Sequence, residues 1–366
     1  MTQVEADVWG WIRNFRYAAQ RDNDRQRQRL VDLHDEAIRL RRRSADEALP
    51  VFQEGRELAR MLNEKCWEVW LWHWECEVYV FYYGDMAMAR DETTKLLVEI
   101  RKPMYESCPA IGRCYRIYVD THVFIDPVGY EQEVREMIAY MQQRVPLDYD
   151  TQCLLIARLV NLDFALGDFD KAKERALEYL AISRSAFRLA NAHADMCFME
   201  YVHGNLESAL AHALESEKNA RRTLHNRTSL PQAIAWQALL AYKLGYTHLE
   251  PDLLFQRAIT EGGTTRDNTS NLFIEGVSRY LELHDKPDQA VEYRQRELSW
   301  LLGRSQFYAE TEARLELCRL LGRMGKLTPD DTAAAREVAS HLLNPALYLA
   351  RLDRVEQGDY TADWAE

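Results

Sequence analysis

A punctuation mark recurs about every forty residues: Arg43, Gly84, Asp126, Gly167, Gly204, Gly245, Asp285 and Gly325, with steps of 41, 42, 41, 37, 41, 40 and 40 residues. Each mark closes an apolar, helix-like segment such as Val160 to Leu166, and a second one follows at once, as Phe169 to Ile182 follows Gly167. Glycine suits such a stop because it accepts the left-handed backbone of a helix end, and an Asp or Asn just beyond it caps the next helix. Five residues past the mark stand Ala48, Ala89, Ala172, Ala209 and Ala290, small enough to let two helices approach closely. The repeating unit is therefore a helical hairpin. Hairpins of fixed period cannot bury their apolar faces alone and must stack on their neighbours. The spacing predicts an all-α chain: an α-solenoid of about eight helical hairpins with a period near 40 residues, capped by terminal helices.

The 366 residues contain no stretch rich in Gly, Ser or Pro that reads as a linker, so one continuous array is expected. Residues 1–20 carry Trp9, Trp11, Ile12, Phe15 and Tyr17 and are expected to dock as an amino-terminal capping helix. Residues 21–342 hold the repeats. Residues 343–366 supply a carboxyl-terminal capping helix from Pro345 to Val355, then a mobile tail whose Tyr360 and Trp364 are candidates for anchoring to a partner.

The register resembles the tetratricopeptide repeat (TPR) family, stretched by several residues per unit. That family places a small residue seven before the helix-ending glycine, a slot filled here by Glu36, Glu77, Val119, Val160, Cys197, Ala238, Ser278 and Cys318. It places a second small residue five after the glycine, met by the five alanines but not by Glu131, Glu250 or Asp330. The family's large residue four positions further back corresponds to His73, Ile156, His193 and Ile234, none of them the usual Trp. The resemblance covers roughly residues 20 to 342. It implies an interaction scaffold without fixing what is bound.

A formal charge of -12 argues against a surface that neutralises phosphates, so nucleic acid is an unlikely partner. No apolar run approaches membrane-spanning length and the first residues lack a secretory pattern, so no membrane association and a cytoplasmic location are expected. Seven cysteines without a CxxC pair do not make a disulfide framework, and reduced thiols are expected. Gly322 to Lys326 contains a Gly-Lys pair but follows a helix and lacks the Ser or Thr of a phosphate-binding loop, so it reads as an inter-helix turn. His193 and Cys197 lie four apart on one helix, yet both occupy packing slots and read as structural. The run from Cys66 to Trp74 holds four tryptophans, which either fill the gap beneath the amino-terminal cap or form an aromatic binding pocket. The arginines between Arg21 and Arg43 alternate with acids and read as a solvated charged face. No catalytic residue, metal ligand or cofactor site is assigned, and the chain is read as not an enzyme.

In TPR-like arrays the first helix of each hairpin lines the concave surface, and the resemblance carries that face here to Trp74, Arg116, Arg158, Asn161, Asp195, Tyr201, Trp236, Tyr242 and Arg279. Arginine can hold a carboxylate through two hydrogen bonds and asparagine can satisfy both sides of an extended main chain, which points to a protein or peptide segment as partner. A competing account pairs these polar residues with one another, Arg116 with Asp120 for example. The expected function is a non-catalytic scaffold or adaptor. The alternative is a peptide-responsive regulatory or sensor module controlling a partner protein, similar to bacterial regulators built on comparable repeats.

Overall fold

The computed structural model describes residues 5–41, 43–223, 228–262 and 271–361; Trp364, one of the two tail anchors, lies outside them. The described residues form eighteen α-helices and no strand. They are α1 (Val8–Arg21), α2 (Arg25–Arg41), α3 (Ala45–Met61), α4 (Lys65–Glu77), α5 (Met86–Ile100), α6 (Ile111–Ile125), α7 (Glu131–Arg144), α8 (Tyr149–Ala165) and α9 (Phe169–Ile182). The rest are α10 (Ala186–Val202), α11 (Leu206–Ala220), α12 (Ser229–Lys243), α13 (Pro251–Gly262), α14 (Asn271–Leu283), α15 (Pro287–Leu301), α16 (Phe307–Arg323), α17 (Pro329–Ala339) and α18 (Ala346–Glu356).

All eight marks fall between paired helices, from α2–α3 to α16–α17. Six of them take the left-handed backbone, Gly167 at φ 77° and even Asp285 at φ 53°. Asn23 and Asn63, also left-handed, make turns that the forty-residue spacing does not mark. The next helix is then capped from the turn. Asp85, Asp168 and Ser185 each accept a hydrogen bond from the backbone N–H three residues on, at 3.0 to 3.2 Å. Thr328 and Asp331 form a reciprocal capping box at the start of α17. The five alanines past the marks are fully buried, as close helix crossing requires.

The chain divides into two compact units. The first comprises Met1–Ile125, Tyr130–Arg158 and Gly303–Gln306; the second comprises Asp126–Gly129, Leu159–Leu302 and Phe307–Glu366. In the first unit the core gathers around α4. Trp67 and Trp70 are fully buried, with Trp11 and Phe15 of α1 at 5.1 and 5.0 Å from Trp67 and Trp9 at 6.1 Å from Trp70. Trp72 and Trp74 are 8% and 5% exposed and pack under Arg56 of α3 and Arg41 of α2, so the whole tryptophan run is core, Trp67 and Trp70 beneath α1 and the other two against α2 and α3, and the aromatic-pocket alternative is set aside. α4 runs into a π-helical turn, Val78–Tyr83, before Gly84. The segment Gly303–Gln306 joins this unit by pairing with that turn: Met86 donates its N–H to the Arg304 carbonyl at 3.1 Å, and the Gln306 amide donates to the Gly84 carbonyl at 3.1 Å.

In the second unit one apolar core runs without interruption from Val160 on α8 to Leu320 on α16. α18 closes its end, with Leu352 and Val355 against Leu315 and Cys318. Tyr360, expected as an anchor for a partner, packs instead on the chain's own α16 at Gly322, where a β-carbon would stand 2.1 Å from the ring.

Candidate binding face

The first helices of successive hairpins in the second unit bring aromatic rings into one ladder. Phe164 of α8 lies 5.0 Å from Phe198 of α10, Phe198 lies 5.5 Å from Trp236 of α12, and Trp236 lies 5.0 Å from Tyr201 of α10. The small Ala194 and Ala235 and the glycine at 276 allow this approach. A β-carbon on Gly276 would stand 3.3 Å from the Trp236 indole nitrogen, tighter than most real contacts. Two cations then face one ring: Lys243 Nζ is 4.8 Å from the Tyr201 centroid and the Arg279 guanidinium 5.7 Å. Tyr242 stands 41% exposed at the edge, 4.1 Å from the His284 ring.

Most of the residues assigned from the repeat register are less available than that register implies. Trp236 is 2% exposed and its indole N–H donates to the Leu272 carbonyl at 2.8 Å, so it packs α12 onto α14. Arg279 is buried and donates to Glu275, which also accepts from Arg294. In the first unit Arg116 donates to both Asp120 and Glu77 and lies 3.1 Å from His73 Nε2, while Arg158 donates to Asp120 at 2.6 Å. Trp74 is buried with Arg41 stacked 4.2 Å above its ring. Of the two accounts that the sequence leaves open for Arg116, Arg158 and Arg279, a guest's carboxylate or the chain's own, the structure shows the chain's own: a guanidinium taken from water needs a carboxylate beside it, and here the chain supplies it. The pairing of Arg116 with Asp120 along one helix is the competing account realised. Asn161 and Asp195 are half-buried, Asp195 with an interaction of its own, and Tyr201 is 7% exposed.

The sequence does carry a signal for these pairs. Arg116 meets Glu77 39 residues back, Arg158 meets Asp120 38 back and Arg319 meets Glu282 37 back, so each acceptor lies about one repeat before its donor. Complementary charges one period apart on first helices therefore mark internal bridges.

Elsewhere the chemistry is quiet. Cys197 is 2% exposed and burial pushes its thiol well above the ordinary range, so it holds no thiolate; His193 lies 2.9 Å from His212, nitrogen to nitrogen. Among the described residues no helix is long and apolar enough to cross a membrane, and no cluster of His, Cys, Asp or Glu has the arrangement of a metal site.

The fold is that of a TPR-like helical repeat protein, an all-α solenoid. Among solved structures the chain is similar to a Rap protein complexed with competence and sporulation factor, with a TM-score of 0.53 at 11% identity over 79% of this chain and 81% of that one. A second solved structure, the TPR domain of P58(IPK), aligns over 95% of this chain and 92% of that one at 13% identity with a TM-score of 0.25. No family model matches the sequence, and no curated protein matches it.

Proposed function

We propose that this chain is a non-catalytic scaffold that binds a protein or peptide segment along the ladder of first helices in its second unit. The observation that carries the reading is the edge of that ladder: Tyr242 and Lys243 stand exposed on α12, with the half-buried Asn161 and Asp195 on the neighbouring first helices. Exposed tyrosine and lysine beside a rigid aromatic wall offer large contact area at small entropy cost, with donors for a guest's carbonyls or carboxylates. The likeness in fold to a Rap protein solved in complex with competence and sporulation factor supports a binding role, and a peptide-responsive regulatory module is the alternative form of it. Trp74, Arg116 and Arg158 enter the reading as the paired framework of the first unit. All seven cysteines are free thiols, which supports a reducing, cytoplasmic setting.

The test selects peptides from a random displayed library on the purified protein and measures the affinity of the winners by fluorescence anisotropy. Tyr242→Ala and Lys243→Glu are expected to weaken binding by about 1 to 3 kcal/mol each while leaving the melting curve in place. Unchanged affinity in both variants removes the ladder as the site.

A further inference from the structure

Two cysteines distant in sequence meet in the first unit. Cys66 is the second residue of α4 and, of the seven cysteines, the one that is not buried. Cys108 is 1% exposed in the turn that leads into α6, and its sulfur lies 3.9 Å from the Cys66 carbonyl oxygen. Its thiol also donates a hydrogen bond to the Cys66 sulfur. The turn is anchored on both sides of this contact. Tyr105 is fully buried with its hydroxyl donating to Glu99 at 2.9 Å, and Cys108 and Ile111 continue the turn through backbone bonds to Tyr105 and Cys108. The two sulfurs are therefore held together by elements that pack for other reasons.

The pair is asymmetric, and the asymmetry assigns the roles. Cys66 is half-exposed and accepts from the neighbouring thiol, which lowers its pKa against burial and Glu64. The same hydrogen bond, ahead of burial, raises the pKa of Cys108 and keeps its proton on. Position adds to this, because Cys66 stands in the first turn of a helix whose N-cap, Glu64, makes no side-chain cap bond, and the positive end of a helix favours a thiolate. The Glu64 carboxylate is drawn off by Arg27 at 2.7 Å. A thiolate that solvent can reach thus has a protonated, buried thiol directly behind it.

We infer that Cys66 is a modification site for hydroperoxides, with Cys108 as the thiol that resolves the product into a disulfide. The Cys66 thiolate attacks one peroxide oxygen, the O–O bond breaks, and the leaving oxygen takes a proton to become water or an alcohol, so that Cys66 becomes a sulfenic acid. Loss of the thiolate removes what held the proton on Cys108. Its sulfur then attacks that of Cys66, the S–O bond breaks, and the leaving hydroxide departs as water with the Cys108 proton. The two thiols supply the two electrons that the peroxide accepts. The bridge ties the first turn of α4 to the turn before α6 and closes a loop of about forty residues, which restricts the unfolded chain.

Peptide mapping by mass spectrometry tests the pair after the full chain is treated with a small excess of hydrogen peroxide and its remaining thiols are alkylated. The expected result is one intramolecular bridge joining the Cys66 and Cys108 peptides, reversed by dithiothreitol, with the other cysteines alkylated. In Cys108→Ser the bridge is lost and Cys66 stops at the sulfenic acid, which dimedone labels. In Cys66→Ser neither bridge nor dimedone adduct forms, and rapid peroxide consumption is lost. An aromatic disulfide reagent should report the same order: a fast equivalent from Cys66, then a slower one as Cys108 displaces the first adduct, the slower phase missing in Cys108→Ser. The map of the parent needs no substitution and decides even where a variant fails to fold. No bridge in the parent, a bridge to any other cysteine, a sulfenic acid that persists on the parent's Cys66, or unchanged peroxide consumption in Cys66→Ser each overturns the assignment.

Discussion

Replacing Trp236 with alanine removes an indole that is 2% exposed and leaves the Leu272 carbonyl without its donor. Phe or Trp to Ala in a core costs about 3 to 5 kcal/mol, and the lost hydrogen bond adds to it. The variant is expected to melt well below the parent, and a loss of binding in it reports unfolding; Tyr242→Ala, at an exposed edge, separates the two effects. A melting curve like the parent's for Trp236→Ala contradicts the burial. The thiols offer a second test at this scale. Six cysteines are buried, while Cys66 is half-buried in the first turn of α4. A hydrogen bond from the Cys108 thiol lowers the Cys66 pKa, against burial and the nearby Glu64, which raise it. Native protein treated with a chromogenic disulfide reagent is expected to release one equivalent quickly, lost in Cys66→Ser. A fast phase that survives this change places the reactive thiol elsewhere.

At the scale of the element, turns and packing separate two kinds of glycine. Gly167 has φ 77° and open space where a β-carbon would go, so Gly167→Val meets backbone strain alone, about 1 kcal/mol or more. Gly322 has ordinary helical backbone, but a β-carbon there overlaps Tyr360. Gly322→Ala is expected to leave the global transition nearly in place while releasing Tyr360, so that limited proteolysis near the carboxyl end speeds up; for Gly167→Val the midpoint falls instead. The reverse pattern means that the roles are misassigned. This contrast also explains what was legible in the sequence. Turn chemistry is local, so the glycine and aspartate marks and the alanines beyond them placed the hairpins. Which ring or guanidinium stays exposed depends on a neighbour one repeat away, as Arg158 on Asp120 shows, and single positions do not carry it. Asn63, a left-handed turn without glycine, shows the limit of the same reading.

Across the whole molecule, charge taken into the interior sets the response to acid, because residues of both units are held away from their ordinary protonation ranges. Burial lowers the His73 pKa from 6.5 to about 4, so the folded chain keeps this imidazole neutral where the unfolded chain protonates it. Stability from His73 is present above pH 6.5 and is lost as pH falls toward 4, on the order of 3 kcal/mol in all. Glu77, Asp148 and Glu275 act with it at lower pH. Burial would raise each carboxyl, but Arg116, Arg113 and Arg279 respectively hold it below its ordinary value. Their contribution is present above the unfolded carboxyl range near 4 to 4.5 and disappears as pH drops below it. Glu75 opposes them. Burial raises it to about 7 against the pull of Arg56, so its folded form holds a proton that the unfolded form has released, and stability is lost as pH rises from 4.5 to 7. Between pH 4.5 and 6.5 His73 and Glu75 work against each other, and the urea midpoint of the parent protein is expected to vary little. Below 4.5 it should fall steeply. In His73→Gln the midpoint is expected to decline relative to the parent as pH rises from 4.5 to 7, with His122, His193 and His212, whose pKa values burial also lowers, still acting in the opposite sense; in Glu75→Gln it is expected to climb relative to the parent through the same interval. Parallel pH profiles for the parent and both variants, whatever their absolute stabilities, contradict the assignment of these two groups.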